Sequence, residues 1–214
     1  MSDPVPGLRD LHRRMEPCRR CPEMIPPVVH GPAIDSRVLL VGQAPGPREG
    51  SFGRPFAWTA GRTLFRWFEE ATGADEERVR AGIYFAAVAR CFPGKAKGGG
   101  DRKPSPVEIA NCRGYLEEET ALLRPDLVIP VGTLAIAEVL GHTGRLVDIV
   151  GTTCRAEYFG RDVDVIALPH PSGASTWHRT QPGIGLLAEA MRLLAEHPAV
   201  RDALGPAPPA HLAK

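Results

Sequence analysis

The run Arg37-Val38-Leu39-Leu40-Val41-Gly42, "RVLLVG", is apolar at every position after its arginine. A strand with one wet face alternates apolar and polar residues, so an unbroken apolar run asks for cover on both faces. Three later stretches also read as strands: "GIYFAAVARC" at 82–91, "RPDLVIPVG" at 124–132 and "DVDVIALPHP" at 162–171. Helical patterns alternate with them. In "TAGRTLFRWFEEATG" the apolar residues Leu64, Phe65, Trp67, Phe68 and Ala71 share one face, and Gly73 stops the helix. Ser105-Pro106-Val107-Glu108 reads as a capping box with proline at the first helical position, opening a helix to about Leu123. "TLAIAEVLG" is a helix closed by Gly141, and "GIGLLAEAMRLLAEH" is a final amphipathic one. Strand–helix alternation of this kind predicts a three-layer α/β/α sandwich around a central, mostly parallel four-stranded sheet.

The chain has 214 residues, enough for one domain. We expect that domain over 1–200, including a cysteine-rich N-terminal segment, and a disordered tail over 201–214 with "GPAPPAHLAK" at its end. The formal net charge of +1 singles out no partner, so contact with a polyanion must come from local patches. No run approaches the ~20 apolar residues of a membrane span, and the N-terminus lacks an apolar signal core. An intracellular, cytoplasmic monomer is the expectation.

In open parallel sheets the ligand site lies outside the carboxyl ends of the strands. Three loops fall there: "GQAPGPREG", "CFPGKAKGGG" and "PHPSGASTW". The first is stiff and poor in side chains, which suits close approach of a ligand to backbone amides. Five cysteines, an odd number, argue against a disulfide framework. Cys18 and Cys21 form C-x2-C, whereas Cys91 and Cys112 bracket one loop and can fold back toward them. Four thiolates suit zinc or an iron–sulfur cluster equally. Cys154 reads as a small apolar residue.

Taken in order, these loops resemble the uracil-DNA glycosylase superfamily, and most closely its family 4 enzymes. The matching text is C-x2-C, "VGQAPGPREGSFGRPFAWTAG", "ARCFPGKAKGGGDRKPSPVEIANC", "PVGTLAIAEVLG" and "LPHPSGAS", spanning about residues 15–195. The resemblance implies a DNA repair enzyme that flips uracil out of DNA and hydrolyses its N-glycosidic bond. Other deaminated bases are further expected substrates. A non-catalytic or product-trapping uracil-DNA-binding protein is the alternative. The resemblance further implies that Cys18, Cys21, Cys91 and Cys112 hold a structural 4Fe–4S cluster, with zinc as the alternative.

Site roles carry over residue by residue. Gly42, Ala44, Pro45 and Gly46 would meet the base through the backbone. Phe56 matches the aromatic that stacks on it. His170 matches the histidine that donates to the uracil carbonyl as negative charge develops. Ser172 would approach a phosphate. Three departures stand out. Gln43 replaces the family 4 glutamate, Ala44 stands where better-known relatives have a water-activating aspartate, and Gly50 replaces the acid after Glu49. Ala87 occupies the place of a base-reading asparagine, and "AAVARC" resembles family 5 enzymes instead. Water handling is therefore assigned to Gln43 and Glu49, and base discrimination is expected to be loose. Lys95, Lys97, Arg102 and Lys103 form a basic loop suited to phosphates, as is Arg179. Trp177 is read equally as a duplex wedge or as packing.

Overall fold

The computed structural model describes residues 3–205. Its elements run α1 (Val5–Met15), β1 (Val38–Gly42), α2 (Glu49–Phe52), α3 (Thr59–Thr72), α4 (Glu76–Gly82), β2 (Tyr84–Ala87), α5 (Pro106–Leu123), β3 (Leu127–Pro130), α6 (Thr133–Leu140), β4 (Thr153–Tyr158), β5 (Arg161–Ile166), α7 (Gly183–Glu196) and α8 (Pro198–Leu204). The sheet order is β2-β1-β3-β5-β4. The first three junctions are parallel and the last is antiparallel.

The central strands bury both faces, as their composition demands. Val38 and Leu40 of β1 face one layer, where they meet Leu64, Phe65 and Phe68 of α3, Val79 of α4, Leu187 and Leu194 of α7 and Val200 of α8. Leu39 and Val41 face the other, against Leu8 of α1, Leu116 and Leu123 of α5 and Val139 of α6. A second core on each side of one sheet is what makes the sandwich three layers thick. Ser105 caps α5 with the reciprocal Glu108 bond, as its sequence predicts.

The sheet has five strands rather than four. The additional β4 is an edge strand whose residues alternate between exposed and half-buried. It therefore lacks the continuous apolarity that marks β1, β2 and β3. Cys154 lies in it, half-buried against the second core and apart from the other cysteines. β2 ends at Ala87 rather than at Cys91. Two further short helices, α2 and α4, were not apparent from the periodicity. The boundary expected at residue 201 also moves: Arg201–Leu204 complete α8, whose Val200 and Leu204 are buried. The rest of the expected tail, 206–214, lies outside the described residues. Among the described residues no helix is long and apolar enough to cross a membrane.

A polar chain runs through the second layer. His12 Nε2 lies 2.8 Å from the Tyr84 hydroxyl, which donates to Glu119 Oε1 at 2.7 Å. The other Glu119 oxygen accepts from Arg90, and that ion pair is fully buried. Tyr84 spends its proton on Glu119, so it accepts from a neutral His12. Burial, then His30, then Arg90 hold the His12 pKa down to about 3. Above the unfolded value near 6.5 neither state is protonated and the arrangement costs nothing. As pH falls from there toward 3 the unfolded chain binds the proton and the folded chain does not. Stability should therefore decline across that window, with a slope of up to about 1.4 kcal/mol per pH unit from this site. Urea midpoints from pH 7 to pH 4, compared with His12→Gln, check it: the variant should show a shallower decline.

Candidate active site and cysteine pocket

β1 sends its chain to β2 on one side, while β3 lies on its other side, so a crevice opens beyond the carboxyl end of β1. A cleft of about 540 Å³ occupies that position. The loop after β1 forms its floor through Gly42, Gln43, Ala44, Pro45 and Gly46, and Ala87 closes it at the end of β2. Phe56 and Glu49 line one side, and His170 and Ser172 come from the loop after β5. A larger groove at the opposite ends of the strands is lined by charges that pair with one another, Arg37 with Asp126 and Arg155 and His197 with Asp164.

Phe56 sits in a left-handed conformation, φ 52°, which a bulky residue adopts only when its surroundings hold it there. Arg80 donates to its carbonyl at 3.0 Å, and its ring stands edge-on to Phe85 at 6.1 Å. The ring also lies over Gly42, where an added Cβ would come within 3.0 Å of it. Gly61 is tighter still, since a Cβ there would fall 1.7 Å from the Phe56 carbonyl oxygen. Gly61→Ala should displace Phe56 and cost about 1–3 kcal/mol, read from the urea midpoint.

Glu49 is buried, with both oxygens engaged. Oε2 accepts from the Gly46 amide at 2.8 Å and Oε1 from the Ala57 amide at 3.1 Å. Burial raises its pKa, and these backbone bonds oppose the rise. Its carboxylate thus ties the loop after β1 to the segment carrying Phe56. His170 has its Nδ1 held by the Ser172 backbone amide, which donates at 3.2 Å. An accepting Nδ1 carries no proton, so the neutral ring presents its N–H at Nε2. Burial lowers the His170 pKa, nearby Asp101 pulls it back up and His178 lowers it further.

The expected cationic residues divide. Lys95 and Lys103 line the cleft, whereas Lys97 and Arg179 are exposed away from its lining. Arg102 forms a two-pronged pair with Glu108 at 2.6 and 2.7 Å and also donates to the Glu23 carbonyl. It clasps the loop to the N-terminal segment, which leaves its charge already committed. Trp177 packs against the first core, and the neighbouring His178 is buried edge-on to Trp67. Two residues at the cleft escaped sequence reasoning. Trp58 is 42% exposed, stacks with Phe52 at 5.8 Å and lies under the guanidinium of Arg48 at 4.8 Å. Asp101 belongs to a loop whose lysines and arginines dominate its composition, yet it lines the cleft with a negative charge.

Cys18, Cys21, Cys91 and Cys112 border one narrow cavity together with Arg90 and Tyr115. Among the described residues no three or more His, Cys, Asp or Glu side chains are grouped closely enough to hold a metal ion as they stand. The surroundings nonetheless suit thiolates. The Asn111 amide donates to Cys21 Sγ at 3.4 Å, Tyr115 donates to Cys18, and the Arg90 backbone N–H donates to Cys112. Arg90 is 1% exposed and keeps Nε and Nη1 without a hydrogen-bond partner. Burial, then Cys112, Cys18 and Cys21, push the Cys91 thiol up to about 11, so four thiolates require positive charge among them. Orphaned donors beside crowded sulfurs fit an anionic iron–sulfur group. Ala44 and Cys91 both pack against Met24, Ala89 and Cys112, which sets this cavity directly behind the cleft floor.

The family model described as the uracil DNA glycosylase superfamily matches residues 28–193. The chain belongs to the uracil DNA glycosylase superfamily. It is 26% identical to the Type-4 uracil-DNA glycosylase of Archaeoglobus fulgidus over 173 residues, covering 78% of this chain and 82% of the relative. The Type-4 uracil-DNA glycosylase of Pyrobaculum aerophilum is 28% identical, with 77% and 83% covered. A Type-5 uracil-DNA glycosylase of the same organism also matches, at 26% identity over 225 residues, 87% of this chain and 91% of the relative. Similarity to both types accords with the mixed character of the motifs, and the five-stranded α/β architecture is consistent with the superfamily fold.

Proposed function

We propose that this chain is a uracil-DNA glycosylase that hydrolyses the bond between the base and deoxyribose C1′. The observation that carries the proposal is the pairing of Phe56 with a neutral, Nε2-protonated His170 across one cleft in a member of this superfamily. Phe56 would stack on the flipped base and the amides of the loop after β1 would meet its edge. His170 would donate from Nε2 to the carbonyl oxygen that gains charge as the base leaves, a bond preorganised by the Ser172 amide. Gln43 faces the same space. Glu49, with both oxygens committed to backbone amides, is assigned the bracing of the loop rather than proton transfer. Ala87 presents only a methyl group where a base-reading amide would stand, which supports loose base selection and hence excision of other deaminated bases.

DNA would be held by Lys95, Lys103 and the cation-flanked Trp58, which offers a stacking platform at the rim. The four cysteines would hold a 4Fe–4S cluster, whose contribution is structural cross-linking of the N-terminal segment to the Cys91–Cys112 loop. Iron and acid-labile sulfide should co-purify with the protein and be lost in Cys112→Ser; zinc without iron would overturn the cluster. Incubation with uracil-containing single- and double-stranded oligonucleotides, then alkali, tests the activity. Strand scission at uracil is expected, whereas uracil-dependent gel retention without scission would favour the product-trapping alternative.

A further inference from the structure

Hydrolysis is served by a group that orients water and takes its proton; on the loop after β1 Gln43 can orient water, but an amide cannot take the proton. Among the described residues lining the cleft, Glu49 and Asp101 are the carboxylates, and Glu49 is occupied by the Gly46 and Ala57 amides. Asp101 differs. One oxygen, Oδ1, is gripped by Lys95 Nζ at 2.6 Å. The other, Oδ2, reaches across the cleft mouth to the loop after β1, 3.9 Å from the point where a Gly46 side chain would begin. The Lys95–Asp101 backbone bridge fixes the loop that carries it. Asp101 also acts electrostatically on His170, so the two groups share one site.

We propose that Asp101 is the water-orienting carboxylate of this enzyme, supplied by the loop between β2 and α5 rather than by the loop after β1. The proposal rests on the glycosylase reading above. In the step, the C1′–N1 bond breaks and its electron pair leaves with the base, whose charge spreads to the oxygen facing His170 Nε2. The water oxygen forms the new bond to C1′ while its proton passes to Asp101 Oδ2. Asp101 afterwards releases that proton to solvent, leaving an abasic sugar. Lys95 holds the carboxylate by one oxygen and leaves the other for water. The lysine thereby serves positioning before it serves phosphate contact.

Single-turnover excision from a uracil oligonucleotide tests the assignment, alongside equilibrium binding to the same oligonucleotide carrying a non-hydrolysable 2′-fluorinated deoxyuridine. Asp101→Asn should slow excision by about 100-fold or more while changing affinity by no more than about threefold, and Asp101→Glu should recover part of the rate. Asp101→Asn excising within about threefold of wild type would overturn the proposal and leave the glycosylase reading standing. An equal loss of rate and affinity would overturn it too, as the mark of a substrate-holding role. Absence of excision by the wild type would overturn both.

Discussion

Replacing His170 with alanine is expected to lower the single-turnover rate of uracil release by about 10²–10³-fold, the usual effect of removing one preorganised donor to a developing anion. The Ser172 amide fixes the tautomer and burial keeps the ring neutral, so the donor is in place before substrate arrives. Ground-state affinity should change far less than the rate, because the bond strengthens as charge builds on the leaving base. The pH profile supplies a second check. A neutral donor whose pKa lies below the ordinary value of about 6.5 keeps working as pH falls through 6.5. The rate should show no break attributable to this ring there. A rate that climbs as the solution is acidified through 6.5 would mean that the imidazolium is the active form.

The largest stability effect is expected at Glu119. Glu119→Ala leaves the Arg90 guanidinium buried without its counter-charge and strips the Tyr84 hydroxyl of its acceptor. Breaking a buried pair from one side typically costs about 3–5 kcal/mol. Because Arg90 also borders the cysteine cavity, the proposed cluster should be held less well in the same variant, read as iron per chain. The double variant Arg90→Met/Glu119→Leu removes both charges and should recover part of the stability, with the Tyr84 hydroxyl still deprived of its Glu119 acceptor. Urea denaturation of the three proteins checks the order: wild type highest, the double variant between, Glu119→Ala lowest. A Glu119→Ala midpoint close to wild type would show that the pair contributes little.

The parts of the fold legible in the sequence are those where burial leaves a composition signal. β1 and β3 read clearly because both faces are covered, and α5 because Ser105 and Glu108 form a capping box that announces its first turn. β4 did not read, since an edge strand wears a mixed pattern close to that of a loop. α8 was hidden by its proximity to proline- and alanine-rich text, although Val200 and Leu204 pack into the first core. The cleft loops were recognisable as a set. What sequence could not convey was which side chains are already spent. Glu49 and Arg102 carry the right charges for catalysis and phosphate contact, yet each is bound to partners that only the folded chain brings close. Arg90 is the converse case: a residue type that is ordinarily solvated lies fully buried beside the cysteines. Asp101 is obscured in the sequence because Lys95, Lys97, Arg102 and Lys103 surround it.

The most direct test of the account is excision by the wild-type protein itself. Oligonucleotides identical except for uracil or thymine at one position, single- or double-stranded, would be incubated with the purified protein and treated with alkali. Strand scission at uracil and none at thymine is the expected result. Intact strands at uracil, from protein that unfolds cooperatively in urea and is therefore folded, would contradict it.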